Sequence, residues 1–212
     1  MDSNTNRHED DHSDRITKDI LSESAYHRKR AERFAQFSAP LQRKLAWQTA
    51  MMATLLLLLP LYELFPTASN VVPLGDTATA SPKILLLGVV GLGIEAATGT
   101  VLVAVGVYRL RAAPVDEKTA TTLLNLEDTA ATIGLYTGGM AIGLTLAGFL
   151  PGALGPDVVA DYVSLFGANP YTDSGTGVSV AHIAVAALST SALLWTARQY
   201  LVFELWKLDG SR

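Results

Sequence analysis

The stretch ILLLGVVGLGIEAATGTVLVAVGVYRL, residues 84–110, decides the fold. A helix needs roughly 20 mostly apolar residues to cross a bilayer, and this stretch supplies them. It is rich in glycine and carries one acid, Glu95, near its centre. An ionised side chain at that depth costs at least about 2.5–3.5 kcal/mol unless it is neutralised or paired. Glu95 is therefore the residue against which the other polar groups are judged.

Three further apolar blocks flank the central one. Together they predict spans at about 45–65, 84–108, 129–150 and 178–201. The expected architecture is an all-α integral membrane protein, a four-helix transmembrane bundle at 40–212. Trp47, Tyr62 and Phe65 at the ends of the first span, and Trp195, Tyr200 and Trp206 near the exit of the last, suit aromatic belts. Pro60 predicts a kink one turn from the end of the first span. The third helical pattern starts near Pro114 and is longer than the hydrocarbon is thick. Residues 115–128 are accordingly expected to project into water or lie along the interface, with Glu127 and Asp128 at the point of entry. In the following loop, 156–166 reads as an amphipathic helix on the outer surface: Val158, Val159, Tyr162, Val163 and Phe166 share one face, Asp157, Asp161 and Ser164 the other.

Residues 1–14, with His8 and His12 among acids, read as a disordered acidic tail. Residues 15–39 read as a cytoplasmic N-terminal amphipathic helix whose Arg28, Lys29, Arg30 and Arg33 meet the membrane surface. Arg109, Arg111, Lys118, Arg198, Lys207 and Arg212 add positive charge on that side, whereas the other two loops offer only Lys83. The positive-inside rule then places both termini in the cytoplasm of a multi-pass cell (plasma) membrane protein.

Small residues recur four apart on the middle helices. Gly88, Gly91 and Gly99 lie on the second span, and Gly134, Gly138, Gly139 and Gly143 on the third. Such spacing lets backbones approach closely where lipid offers no hydrophobic gain. The expectation is packing of these helices within the chain, with a homo-oligomer or another membrane subunit as the alternative use of the same faces. The lipid bilayer is the other partner.

At about 1.5 Å per residue, Glu95 lies about 16 Å from the outer end of its helix. Thr54, Tyr136, Thr137, Ser189, Thr190 and Ser191 fall near the same depth on the other spans. They form the expected polar layer, with hydroxyls donating to an inward-turned carboxyl. His182 lies about 10 Å nearer the outer surface and is a relay candidate on a proton or cation pathway.

Enzyme signatures are absent. There is no HExxH, GxSxG or GxxxxGK[ST] pattern, and GVVGLG at 88–93 lies inside a membrane helix rather than after a strand. Ser189 and Ser191 sit about two turns from His182, too far for direct proton transfer. The chain has no cysteine, no cofactor motif and no candidate metal ligand set, and the short basic run alone gives no case for nucleic acid. The tail HEDDHSD, the use of Arg over Lys and the lysine-free segment 151–177 resemble integral membrane proteins of salt-loving archaea. That resemblance is compositional and assigns no residue a role. The reading favoured at this point is a non-enzymatic accessory or assembly component. A small transporter or channel using Glu95 comes second and an intramembrane enzyme third.

Overall fold

In a computed structural model the chain is an all-helical membrane bundle, described at residues 26, 29, 39–65, 75–112, 114–167 and 169–210. The tail 1–14 and most of 15–39, including His8, His12, Arg28, Arg30 and Arg33, lie outside the described residues. Among the described residues, four helical stretches are long and apolar enough to cross a membrane: Leu41–Glu63, Leu85–Arg111, Glu117–Leu154 and Val180–Glu204.

The first span consists of α1 (Leu41–Thr54), a 3-10 turn (Leu55–Leu57) and α2 (Leu58–Glu63). The turn has a local cause. Pro60 has no N–H to give the carbonyl of Leu56, and its ring crowds that carbonyl, so the helix tightens there. The second span is α3 (Leu85–Arg111). The third joins α4 (Glu117–Thr132) through a π-helical turn (Ile133–Gly138) to α5 (Gly139–Leu154). After Gly155 comes α6 (Pro156–Phe166), opened by a proline in its first turn and stopped by Gly167 in the left-handed region, φ 64°. The fourth span is α7 (Val180–Gly210).

The spans alternate in direction, so the bundle has two distinct ends. At one end, Tyr62, Phe65, Phe149 and Tyr171 pack ring against ring, with Phe65 and Tyr171 centroids 5.0 Å apart. The two loops there are tied together. Lys83 N–H donates to Thr172 O at 2.9 Å, Ser174 N–H to Ser81 O at 2.7 Å, and Tyr171 Oη to Gly148 O at 2.5 Å. Val159 of α6 is fully buried in the same cluster, while Val158 and Leu165 remain exposed.

At the opposite end Ala120, Leu123, Leu124 and Glu127 are buried, the apolar ones beside Val105 and Tyr26. The reason is length: α3 extends to Arg111 and gives α4 an apolar stripe to pack against. Arg43 with Trp47 and Arg198 with Trp195 form cation–π pairs at this end, guanidinium to ring centroid 5.6 and 4.8 Å.

Helix approach is set by glycine. A Cβ on Gly91 would stand 2.9 Å from Gly138 O, and one on Gly138 would stand 3.2 Å from Gly91 O. The backbones of α3 and the π-helical turn therefore meet directly. Gly99 and Gly106 admit Leu194 and Leu201 of α7, Gly88 admits Thr145, and Gly139 admits Met51. Gly93 and Gly143 face open space.

Two outcomes follow. Gly138→Leu should lower the thermal midpoint of the detergent-solubilised protein, since overpacking costs about 1–3 kcal/mol, whereas Gly143→Leu should leave it unchanged. Burial, with Tyr162 nearby, pushes the Tyr171 phenol above its ordinary value of 10.0. The folded state then holds this proton more tightly than the unfolded chain. Its contribution is complete below about pH 10 and fades as pH rises further. Thermal midpoints measured across that range should fall more steeply for the wild type than for Tyr171→Phe.

Candidate functional site

The site begins with Lys44, one turn into α1 and only 1 % exposed. Its Nζ donates to Glu127 Oε1 at 2.9 Å and to Asp128 Oδ1 at 2.7 Å. Glu127 is equally buried, and its second oxygen, Oε2, accepts from Tyr26 Oη. Arg109 lies 3.6 Å over the Tyr26 ring. Among the described residues, Lys44, Arg109, Glu127 and Asp128 thus gather at one end of the bundle. Ion pairs taken out of water repay their desolvation only when geometry and hydrogen bonding are good. Here both oxygens of Glu127 are engaged.

One turn further along α1 is Gln48, fully buried. Its Nε2 donates to Thr98 Oγ1 of α3 at 2.9 Å, and Thr98 in turn donates to Ile94 O at 2.8 Å. Next to them is Glu95, with no exposure at all. A side chain on Gly134 would overlap Gln48 Nε2, and its Cβ would stand 2.6 Å from Thr98 Oγ1 and 3.1 Å from Glu95 Oε2. The absent side chain of one glycine is thus the point around which three polar groups converge. Gly138 lies against Glu95 Cγ, and Gly139 lies 3.8 Å from Oε1, both measured from a notional Cβ. The carboxylate therefore rests on the bare backbone of the π-helical turn. Irregular turns of this kind occur often at functional sites.

Neither oxygen of Glu95 has a hydrogen-bond partner, and neither does Gln48 Oε1. The expected hydroxyl layer does not supply one. Thr54 Oγ1 donates to Met51 O at 2.6 Å. Ser189, Thr190 and Ser191 donate to Val185, Ala186 and Leu188 carbonyls of their own helix. Tyr136 and Thr137 are exposed on the outer surface of the bundle. Rotation about each helix axis turns these hydroxyls to carbonyls of their own helix or outward, away from Glu95. His182 Nδ1 accepts from Ser179 N–H at 3.2 Å, and the His182 backbone N–H donates to Ser179 Oγ at 3.2 Å. This is a reciprocal cap at the start of α7, with histidine in the role usually taken by glutamate.

Lys44, Gln48, Thr98, Glu127 and Tyr26 are the residues that the depth argument missed. A signal was present. Lys44, Gln48 and Met51 recur at helical spacing, as do Glu127 and Gly134, and as do Glu95 and Thr98. Reading faces, not depths, selects them.

From one end the polar groups form a series that starts at Tyr26 and Arg109, passes Lys44, Glu127 and Gln48, and reaches Glu95. Beyond Glu95 the buried residues include Leu55, Leu58, Ile142, Phe149 and Ile183, up to the aromatic cluster, and Thr145, whose hydroxyl donates to Ala141 O at 2.8 Å. Among the described residues, no three of His, Asp and Glu gather as a metal-binding group.

Lys44→Met should destabilise the protein by about 3–5 kcal/mol, because it leaves Glu127 buried without its cation. Adding Glu127→Leu should recover part of that loss in equilibrium unfolding from micelles. If the double variant is weaker than the single one, the pair is not the unit described here. Comparison with protein-family models, with curated proteins and with solved structures finds no match.

Proposed function

We propose that this is a non-enzymatic membrane carrier that takes up and releases a small positive charge, a proton or a cation, at Glu95. One observation carries the reading: a fully buried carboxyl group at mid-bundle has both oxygens without a partner. An uncompensated carboxylate in hydrocarbon is too expensive to be the resting state. Lys44 is already engaged by both Glu127 and Asp128, and Arg109 lies over the Tyr26 ring. Among the described residues Glu95 is left without a positive partner, so a proton or cation taken up from solution is the charge that would neutralise it.

The series of charged and amide side chains reaches Glu95 from the Lys44 end, and the distribution of Arg and Lys supports that end as cytoplasmic in a plasma-membrane protein with both termini inside. Groups of one polarity on one side and packed aromatics on the other favour a carrier that changes shape over an open channel. An accessory role, through a partner helix or a second copy, is the second reading. It is favoured by Gly93 and Gly143, which point outward with nothing against them.

Proteoliposomes separate the two. Glu95→Gln and Glu95→Leu should both abolish flux of protons or alkali cations driven by an imposed gradient. If Glu95→Gln behaves as wild type in flux and only Glu95→Leu disturbs assembly, the acid is structural and the carrier reading fails.

A further inference from the structure

We infer that Gln48 is a positioning residue for Glu95: its side-chain amide, oriented by Thr98, donates to the carboxylate whenever the acid has given up its positive charge. The transport role of this contact rests on Glu95 being the loading group. The argument starts where two helices bring polar atoms to one point. A notional Cβ on Gly134 stands 2.3 Å from Gln48 Nε2 and 3.1 Å from Glu95 Oε2. Glycine leaves that point open, so the amide nitrogen of α1 lies beside the carboxyl of α3 across bare backbone of the third span. Gln48 Nε2 gives one N–H to Thr98 Oγ1 at 2.9 Å and keeps a second. Beside it is Glu95 Oε2, a buried acceptor with no partner.

Thr98 fixes which end of the amide points there. Its hydroxyl donates to Ile94 O at 2.8 Å, and a second carbonyl of the same helix, Glu95 O, lies 3.3 Å away. With its proton committed to α3, Oγ1 turns lone pairs toward Gln48 and accepts. A reversed amide would set its carbonyl oxygen against those lone pairs and against the carboxylate. The other end of the amide shows what this orientation costs. Gln48 Oε1 lies beside Gly99, 3.3 Å from a notional Cβ, and has no partner. An unsatisfied oxygen on a fully buried side chain is unfavourable, and it is tolerated here with the nitrogen kept next to the acid.

No ionised side chain of the packed spans competes for this contact. Residues 45–61 and 183–197 contain no ionisable group, and 129–154 contain only Tyr136, which is exposed on the outer surface. Lys44, one turn from Gln48, is engaged by Glu127 and Asp128 at 2.9 and 2.7 Å. On α7 the residue against this part of α3 is Leu194, which fills the space beside Gly99. A hydrogen bond to a carboxylate favours its charged form. A cationic donor would lock that form as a permanent ion pair. A neutral amide eases the unloaded state and still lets the acid reload.

The test follows the protonated-carboxyl infrared band of Glu95 against pH, using the full chain in detergent. The band is identified by its loss in Glu95→Gln. Removing a donor to the charged form favours the neutral one. Gln48→Met should therefore raise the pH at which the band disappears by about one unit or more, a tenfold gain in proton affinity. Thr98→Val, which lets the amide turn over, should shift it in the same direction. Thr98→Ser, which restores the hydroxyl, should bring it back. A purely structural role for either residue would lower the thermal midpoint and leave the pH midpoint in place. The wild type gives a second reading: the Gln48 side-chain amide proton resonance should move over the same pH range as the band. A wild-type band that does not titrate, an unmoved midpoint in Gln48→Met, a Thr98→Ser midpoint that matches Thr98→Val, or an amide resonance indifferent to the carboxyl would each overturn the inference. Proteoliposome flux separates it from the carrier reading. A shifted midpoint without Glu95-dependent flux keeps the hydrogen bond and removes the carrier with its transport role. Glu95-dependent flux with an unmoved midpoint keeps the carrier and removes Gln48 from it.

Discussion

The backbones of α3 and the third span touch where Gly91 and Gly138 face each other, and the interior of this protein is built around that contact. Within a bilayer no water is displaced when helices meet, so association rests on close packing. Glycine makes the approach possible, and the approach fixes the rotation of α3. With Gly88, Gly91 and Gly99 turned inward on α3, Glu95 is necessarily turned inward as well. The acid is buried because its neighbours on the same face are small.

That geometry gives the π-helical turn a role. The third span must bring Gly134, Gly138 and Gly139 to the carboxylate while keeping Glu127 and Asp128 on Lys44. A regular helix advances about 100° per residue, and a wider turn resets the phase between these two groups. The two halves of the third span thus serve different partners. One anchors a balanced ionic cluster near an end of the bundle, and the other offers bare backbone at its middle.

The two ends differ in chemistry for the same reason that they differ in sequence. Aromatic rings, a tied pair of loops and α6 close one end by packing. Paired charges occupy the other, with Tyr26 from the segment before α1 placed between Glu127 and Arg109. A series of charged and amide side chains extends inward from the charged end, and its last member, Glu95, has no hydrogen-bond partner within the chain.

Hydropathy and length alone determined that there are four membrane helices, roughly where each begins and ends, and that a short amphipathic helix lies between the last two. These follow from local composition, since a bilayer demands long apolar runs and satisfied backbone whatever the neighbours are. Tertiary structure alone decided what surrounds Glu95. Depth along the membrane can be counted from sequence, but each helix can be rotated about its axis without changing that depth. Rotation is chosen by glycine contacts and by the burial of Lys44 against Glu127, both of which join residues far apart in the chain. Ser189, Thr137 and Thr54 therefore have their hydroxyls turned to other carbonyls or outward, while Gln48 and Thr98 stand beside the acid.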